Sequence, residues 1–188
     1  MKKWFWSLGL LSFVSLTFAQ SLDVQIKQDG QIINSQDGVY HLKKKEFAYV
    51  VNAKDIEGFL VGATFDESIY KNAIGPFNPT VTWFQNTGMA EELYNLEKDM
   101  TITDEAPSYW YYTDARDHRF DKTPKGNLKN WSGTRTVKQV FDVAEGIPQT
   151  ISEINKPIYV IFYEAKNDEN YEVIGKKNLF HATLKFDK

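Results

Sequence analysis

The first part of the chain alternates apolar and polar residues with a period of two. Leu22, Val24 and Ile26 are separated by Asp23 and Gln25, which places the three apolar side chains on one face of a β-strand. Further segments with alternating or continuously apolar, β-prone residues are 31–34, 39–43, 47–52, 59–65, 158–163 and 179–186. The pattern therefore predicts strands at both ends of the chain, with the C-terminal segment inside a sheet.

The connections between the first strands are short and turn-like. Asp29-Gly30 and Asp37-Gly38 are dipeptides that tolerate the positive φ values of a tight hairpin turn. Connections of this length leave no room for crossover helices. We therefore expect neighbouring strands in this part of the chain to pair antiparallel.

Two segments in the middle have helical spacing. Met89, Leu93, Leu96 and Met100 predict one amphipathic helix. The apolar residues of 137–145 also share a helical face, and turn residues follow them. The same segment alternates with a period of two, so a strand is the alternative there, and helix is the preferred interpretation.

Residues 101–136 show no sustained periodicity and contain Pro107, Pro124, Gly126 and Gly133. A connection this long is usually either functional or disordered. Its many aromatic residues argue for order, because disordered segments are poor in them. The sequence therefore predicts a long ordered loop that carries the function.

Four consecutive aromatic residues, 109–112, are the most distinctive feature of this loop. They cannot all face inward in an extended segment, so we expect one or two exposed rings that contact a protein partner or stack on sugar rings. Basic residues follow from position 116 onward and can attract a charged partner. The predicted partner face consists of Tyr109, Trp110, Tyr111, Tyr112, Arg116, Arg119 and Trp131.

Together, these elements predict a mainly β fold, with α+β as the alternative. We expect an antiparallel β-sandwich-like single domain over residues 20–188, with one or two short helices and an irregular insert at about 101–136. No internal repeat or linker divides this range.

Residues 1–19 have the three parts of an export signal. Lys2 and Lys3 precede an apolar run, and Ala19 follows Thr17 at a cleavage-like spacing. The run is too short for a stable membrane anchor. We therefore expect cleavage to leave a soluble mature chain that begins near Gln20 and resides in the bacterial periplasm or outside the cell.

The composition argues against several classes of function. The net charge is −3, and loss of Lys2 and Lys3 makes the mature chain more acidic. This argues against nucleic acid as a partner, because phosphate binding needs a basic surface. The sequence contains no cysteine, which excludes disulfides, thiolate metal sites and thiol catalysis.

The ionisable residues form no recognisable catalytic set. Asp114, Asp117, His118 and Asp121 are the densest group, but their spacing matches no EF-hand loop and no zinc signature, and the interleaved arginines can pair with the acids. The sequence contains no Gly-rich phosphate loop and no nucleophile motif. We predict no catalytic residues, no metal and no cofactor.

The leading hypothesis is therefore an exported, non-catalytic protein-interaction module with a protein partner in the cell envelope. An inhibitor or an immunity protein against an envelope-acting toxin or hydrolase fits this description. The alternative is a glycan-binding protein or a polysaccharide-acting hydrolase, in which two carboxyl groups flank a cleft. For that alternative, Asp104 or Glu105 would face Asp114 or Asp117 across the aromatic cluster.

Overall fold

The computed structural model describes residues 20–85, 100–111, 120–125 and 127–187. Within these ranges, two five-stranded sheets pack face to face beside a three-stranded sheet and two helices. The predicted mainly β, sandwich-like single domain is confirmed.

The first sheet is antiparallel throughout. In spatial order it consists of β2 (Gln31–Ile33), β1 (Ser21–Gln28), β4 (Phe47–Lys54), β9 (Asn127–Val137) and β8 (Asp121–Lys125). Asp29 and Gly30 join β1 to β2 with φ values of 55° and 74°, as expected for a tight hairpin turn. Asp37 and Gly38 have similar φ values, 51° and 77°, so both turn predictions are confirmed.

The second sheet combines antiparallel and parallel pairs. In spatial order it consists of β3 (Val39–Lys43), β13 (Val173–Asp187), β12 (Ile158–Asn167), β5 (Phe59–Thr64) and β7 (Ser108–Tyr111). The C-terminal strand β13 lies inside the sheet, as predicted. Its pairing with β3 is parallel, whereas the early strands that pair with one another, β1 with β2 and β1 with β4, are antiparallel as expected.

The third sheet corrects two predictions. It consists of β11 (Ile147–Thr150), β10 (Gln139–Asp142) and β6 (Met100–Ile102). The preferred helix over 137–145 is wrong, because β10 pairs with both neighbours and its Val140 is buried beside Met100. The irregular insert at 101–136 is wrong where the structure describes it, since β6, β7, β8 and β9 fall within or overlap this range. Of the helix predicted from Met89 to Met100, residues 89–99 lie outside the described residues, and Met100 begins β6.

The helix α1 (Glu67–Ile74) was not predicted from the sequence. It begins at Asp66, whose Oδ1 accepts hydrogen bonds from the backbone N–H of Ser68 at 2.6 Å and of Ile69 at 3.4 Å, a typical N-cap. At the other end of α1, the side chains of Lys176 and Asn178 donate to the carbonyls of Gly75 and Ile74. The helix is therefore fixed at both ends by polar contacts.

Apolar side chains cover the second sheet on both faces. One face packs against the first sheet through a core that includes Tyr49 and Phe162. The opposite face packs against α1 and the short helix α2 (Thr82–Gln85), where Leu60 and Tyr163 contact Trp83 and its neighbours. All six residues of β5 are buried for this reason.

Gln28 is a polar residue at a core position of β1. Its Nε2 donates to the carbonyls of Lys43, Lys45 and Glu46 at 3.0 to 3.2 Å, and its Oε1 accepts from the backbone N–H of Lys43 at 2.7 Å. These bonds offset the cost of burying the amide. Gln28 thereby fixes the turn that carries the chain from β3, in the second sheet, to β4, in the first.

Gly62 lets α2 approach the second sheet closely. Trp83 lies directly over Gly62, and its indole Nε1 donates to the carbonyl of Thr103 at 2.8 Å. The Tyr163 hydroxyl donates to the carbonyl of Trp83 at 3.0 Å. A Cβ atom added to Gly62 would lie within 2.7 Å of three atoms of the indole ring, so no other residue fits without moving Trp83.

We expect Gly62→Ala to lower the free energy of unfolding by about 1–3 kcal/mol, as is typical of overpacked cores. Urea unfolding followed by tryptophan fluorescence measures this change. Gly175→Ala is the matched control, because its added Cβ would lie 3.8 Å from the nearest atom. Equal stability of the two variants would contradict the packing of Trp83 over Gly62.

Candidate functional site

The structure describes only part of the predicted partner face. Tyr112, Arg116 and Arg119 lie outside the described residues, as do Asp114, Asp117 and His118. Tyr111 ends β7, and only its backbone is described. For these residues the partner face stays a prediction.

Trp110 and Trp131 do not lie on a surface. Their exposed fractions are 1 % and 2 %, and both belong to the core between the two large sheets. Trp131 also donates its indole N–H to the carbonyl of Ile56 at 3.2 Å. Their assignment to a partner face is therefore wrong, because their rings are enclosed in the folded domain.

Tyr109 is half-buried on the opposite face of the second sheet from Trp110 and packs against the cluster that contains Trp83. Consecutive side chains of a strand point to opposite faces, and both faces of this sheet are covered. Neither Tyr109 nor Trp110 therefore has to face solvent, although the two residues are adjacent in an extended strand. Arg135, which belongs to the basic segment, is also buried, and its guanidinium lies 4.1 Å from the centroid of the Trp110 ring.

The described surface has a different prominent feature, a two-stranded arm formed by β12 and β13. β12 pairs with β5 only as far as Tyr163, and β13 pairs with β3 only from Thr183 onward. Residues 164–167 and 173–177 pair only with each other among the described strands. Four residues of strand span about 13 Å, and within this arm Ala165 and Val173 pack against the cluster that contains Trp83.

The tip of this arm is a turn organised by Asp168. Its Oδ1 accepts hydrogen bonds from the backbone N–H of Asn170 and of Glu172, both at 2.9 Å. Its backbone N–H donates to the carbonyl of Glu172 at 2.9 Å, and its carbonyl accepts from the N–H of Tyr171 at 3.2 Å. Four hydrogen bonds therefore fix the backbone of a turn that is otherwise exposed.

Tyr171 is the unusual residue of this turn. Its φ is 65°, and its side chain is 78 % exposed. The left-handed conformation is costly for a bulky residue and is normally taken by glycine or asparagine. Ile174, three residues further, is 51 % exposed, so the tip presents two apolar side chains to solvent. We refer to residues 168–174 as the arm tip.

The tip of the arm is acidic, whereas the rest of the arm carries charges of both signs. Asp168, Glu169 and Glu172 lie in the tip, and Glu164, Lys166, Lys176 and Lys177 lie in the paired strands. Lys176 is partly buried, and this burial lowers the pKa of its ammonium. The tip is therefore an acidic surface around an exposed tyrosine.

A second feature is an acidic cleft beside Phe65. A recess of about 370 Å³ is lined by Asp104 and Glu105, which follow β6, and by Asp142 and Glu145 of the turn between β10 and β11. A neighbouring recess of about 230 Å³ shares Phe65 and the turn carboxylates. We call the two recesses together the acidic cleft.

Several contacts hold the walls of the acidic cleft. The Thr64 hydroxyl donates to Asp104, and the Lys156 ammonium lies 5.4 Å from the centroid of the Phe65 ring. Glu153 accepts from the backbone N–H and the hydroxyl of Thr150 at 2.7 and 2.8 Å, and these bonds lower its pKa. Phe65 is half-buried, so part of its ring faces the cleft.

The two described histidines lie elsewhere. His41 contacts Asp187 at 3.2 Å on the exposed part of the second sheet. His181 Nδ1 lies 3.2 Å from the hydroxyl of Tyr70, whose pKa is raised by burial. Within the described ranges, no group of three or more His, Asp or Glu side chains is arranged to hold a metal ion.

The comparisons with known proteins give no relative. No protein-family model matches the chain, and searches of curated proteins and of solved structures return no significant match. Among the described helices, none is long and apolar enough to span a membrane. The arm tip and the acidic cleft are the features of the described surface that bear on function.

We expect Tyr171→Gly to leave the free energy of unfolding unchanged or to raise it by up to about 1 kcal/mol. Glycine relieves the left-handed strain of about 1–2 kcal/mol, and its greater freedom in the unfolded chain offsets part of this gain. Urea unfolding measures the change, with Ile174→Gly in the adjacent strand as the control that should destabilise. A loss above about 1 kcal/mol for Tyr171→Gly would mean that Tyr171 serves the fold.

Proposed function

We propose that this protein is an exported, non-catalytic protein-interaction module and that it binds its partner through the arm tip. The observation that carries the proposal is Tyr171, a tyrosine that is 78 % exposed at a φ of 65°. Its conformation is unfavourable for the residue, and its ring contributes little to packing, so folding alone does not account for a tyrosine at this position.

An exposed tyrosine on a fixed backbone is well suited to protein binding. Tyrosine is enriched among the residues that dominate interface energies, because it buries a large ring and loses little side-chain entropy. The hydrogen bonds of Asp168 fix the turn before binding, which lowers the entropic cost of association. The acidic residues of the arm tip favour a partner with a basic rim around an apolar recess.

Within a bacterial envelope, an inhibitor or an immunity protein against a toxin or hydrolase agrees with these properties. The exposed side chains of the arm tip can enter the recess of another protein. The export signal predicted at residues 1–19 and the absence of cysteine are compatible with such a role. The residues predicted around 112–119 can extend the same interaction, and that part of the partner face stays a prediction.

The decisive test is site-specific crosslinking in the native envelope. With a photo-crosslinking phenylalanine analogue at position 171, we expect one dominant protein adduct. The same analogue at position 32 should not give this adduct. Ile32 is 50 % exposed but lies in β2 of the other sheet. The partner is then purified, and its affinity for Tyr171→Ala is compared with that for Ile32→Ala.

Loss of the Tyr171 ring should weaken binding by about 30-fold or more, which corresponds to the 2 kcal/mol expected of a dominant interface residue. Ile32→Ala should bind like the unaltered protein. Equal affinity of both variants, with the fold intact by tryptophan fluorescence, would contradict a role of the arm tip in binding.

A second candidate function is glycan binding or polysaccharide hydrolysis at the acidic cleft. It is favoured by a cleft that is lined by Asp104, Glu105, Asp142 and Glu145 together with the partly exposed ring of Phe65. Carboxylates can accept hydrogen bonds from sugar hydroxyls, and two of them are needed for glycosidic cleavage. The net negative charge of the cleft favours neutral or amine-bearing sugars.

For this candidate we expect envelope glycan fragments to bind with release of heat in calorimetric titrations. Phe65→Ala should weaken that binding by about 10-fold, which is a typical effect of losing one aromatic contact. Ile32→Ala is the control outside the cleft. Titrations without heat at millimolar glycan concentration, together with unchanged glycan length after incubation, would remove this candidate.

A further inference from the structure

Gln20 directly precedes β1 and is fixed by side-chain contacts. Its Nε2 donates to the carbonyl of Asp55 at 3.1 Å and to Oε1 of Glu164 at 3.4 Å. The Lys177 ammonium donates to Oε1 of Gln20 at 3.1 Å and to its backbone carbonyl at 3.4 Å. Both polar atoms of the Gln20 side-chain amide therefore have partners within the fold.

The position of this residue coincides with the end of the predicted export signal. Thr17 and Ala19 provide the small residues of a cleavage site, and cleavage after Ala19 makes Gln20 the new N-terminus. β1 begins at Ser21, so this cleavage leaves all of β1 in the mature chain.

A newly formed N-terminal glutamine has a characteristic side reaction. Its free α-amine can attack the side-chain carbon Cδ, forming an N–Cδ lactam bond while the Cδ–Nε2 bond breaks. The amine proton passes to the departing nitrogen, which leaves as ammonia. The reaction needs no co-reactant, and its product is an uncharged pyroglutamate.

We infer that processing after Ala19 leaves Gln20 as the N-terminus and that the fold holds this glutamine in its open form against cyclisation. Cyclisation removes Nε2 and with it the hydrogen bonds to Asp55 and Glu164. It also carries the side-chain carbonyl into the new ring, away from the ammonium of Lys177. The contacts seen at Gln20 must therefore break before the lactam can form.

The contacts also link the new N-terminus to the base of the arm. Glu164 and Lys177 face each other across β12 and β13, and their charged groups are 4.0 Å apart. Glu164 is partly buried, which raises its pKa, while Lys177 acts to lower it. Gln20 donates a hydrogen bond to Glu164 and accepts one from Lys177. The uncyclised glutamine therefore stabilises this pair, which is the first cross-strand pair of the arm beyond Tyr163. This inference depends on the export signal and not on the binding role of Tyr171.

The test begins with the full chain, exported from a bacterial host and purified from the periplasm or medium. Intact-mass analysis and peptide mapping of the mature protein should place the N-terminus at Gln20. The purified protein is then incubated at mildly alkaline pH, and the loss of one ammonia is followed by mass over time, both folded and in denaturing urea.

We expect the folded protein to cyclise more slowly than the unfolded chain, by about 2- to 10-fold for each net hydrogen bond that must break. Lys177→Met should cyclise faster than the unaltered protein. Lys185→Met, on the same strand but remote from Gln20, should not differ from it. The comparison of folded and unfolded states of the unaltered protein tests the inference even if Lys177→Met folds poorly. An N-terminus other than Gln20, or equal rates in the folded and unfolded states, would overturn it.

Discussion

The packing of the two large sheets depends on the ring of Phe162, in the central strand of the second sheet. Its centroid lies 5.1 to 5.4 Å from those of Phe59, Trp110, Phe180 and Tyr49, and Tyr49 belongs to the first sheet. Buried aromatic rings of this size remove 150–250 Å² each from water, at roughly 25 cal/mol per Å². The contact fixes β12 against the first sheet, and β12 in turn carries the arm whose tip holds Tyr171.

Much of the fold could be predicted because strand alternation and turn chemistry are local signals. β1 and β4 follow the period of two, and Asp-Gly dipeptides form the turns. Residues 137–145 show where local signals end, because their apolar spacing satisfies both periods. The choice of strand is made by pairing with β6, a segment that is distant in sequence, and no local pattern contains that information.

The candidate site could be predicted to a smaller extent, because exposure depends on what covers each face. Trp110 and Tyr109 are adjacent, and the sequence alone does not show that a second layer, built around Trp83, covers the other face of their sheet. At the arm tip, the polar residues 167–170 are typical of a turn, but no local pattern singles out Tyr171. Asn170 tolerates a left-handed φ better than tyrosine does, yet Tyr171 has the positive φ. The hydrogen bonds of Asp168 set the backbone conformation of the turn, and they are visible only in the structure.

The location of β13 has a consequence for when the domain can form. This last strand lies between β3, from the beginning of the chain, and β12, which immediately precedes it. β3 has its backbone partner in the second sheet only once β13 is present, so that sheet cannot be completed before the C-terminal residues become available. Contacts this distant in sequence also slow folding, because a long loop must close first. Under the export that we propose, the order of the strands itself delays folding until transport is nearly complete.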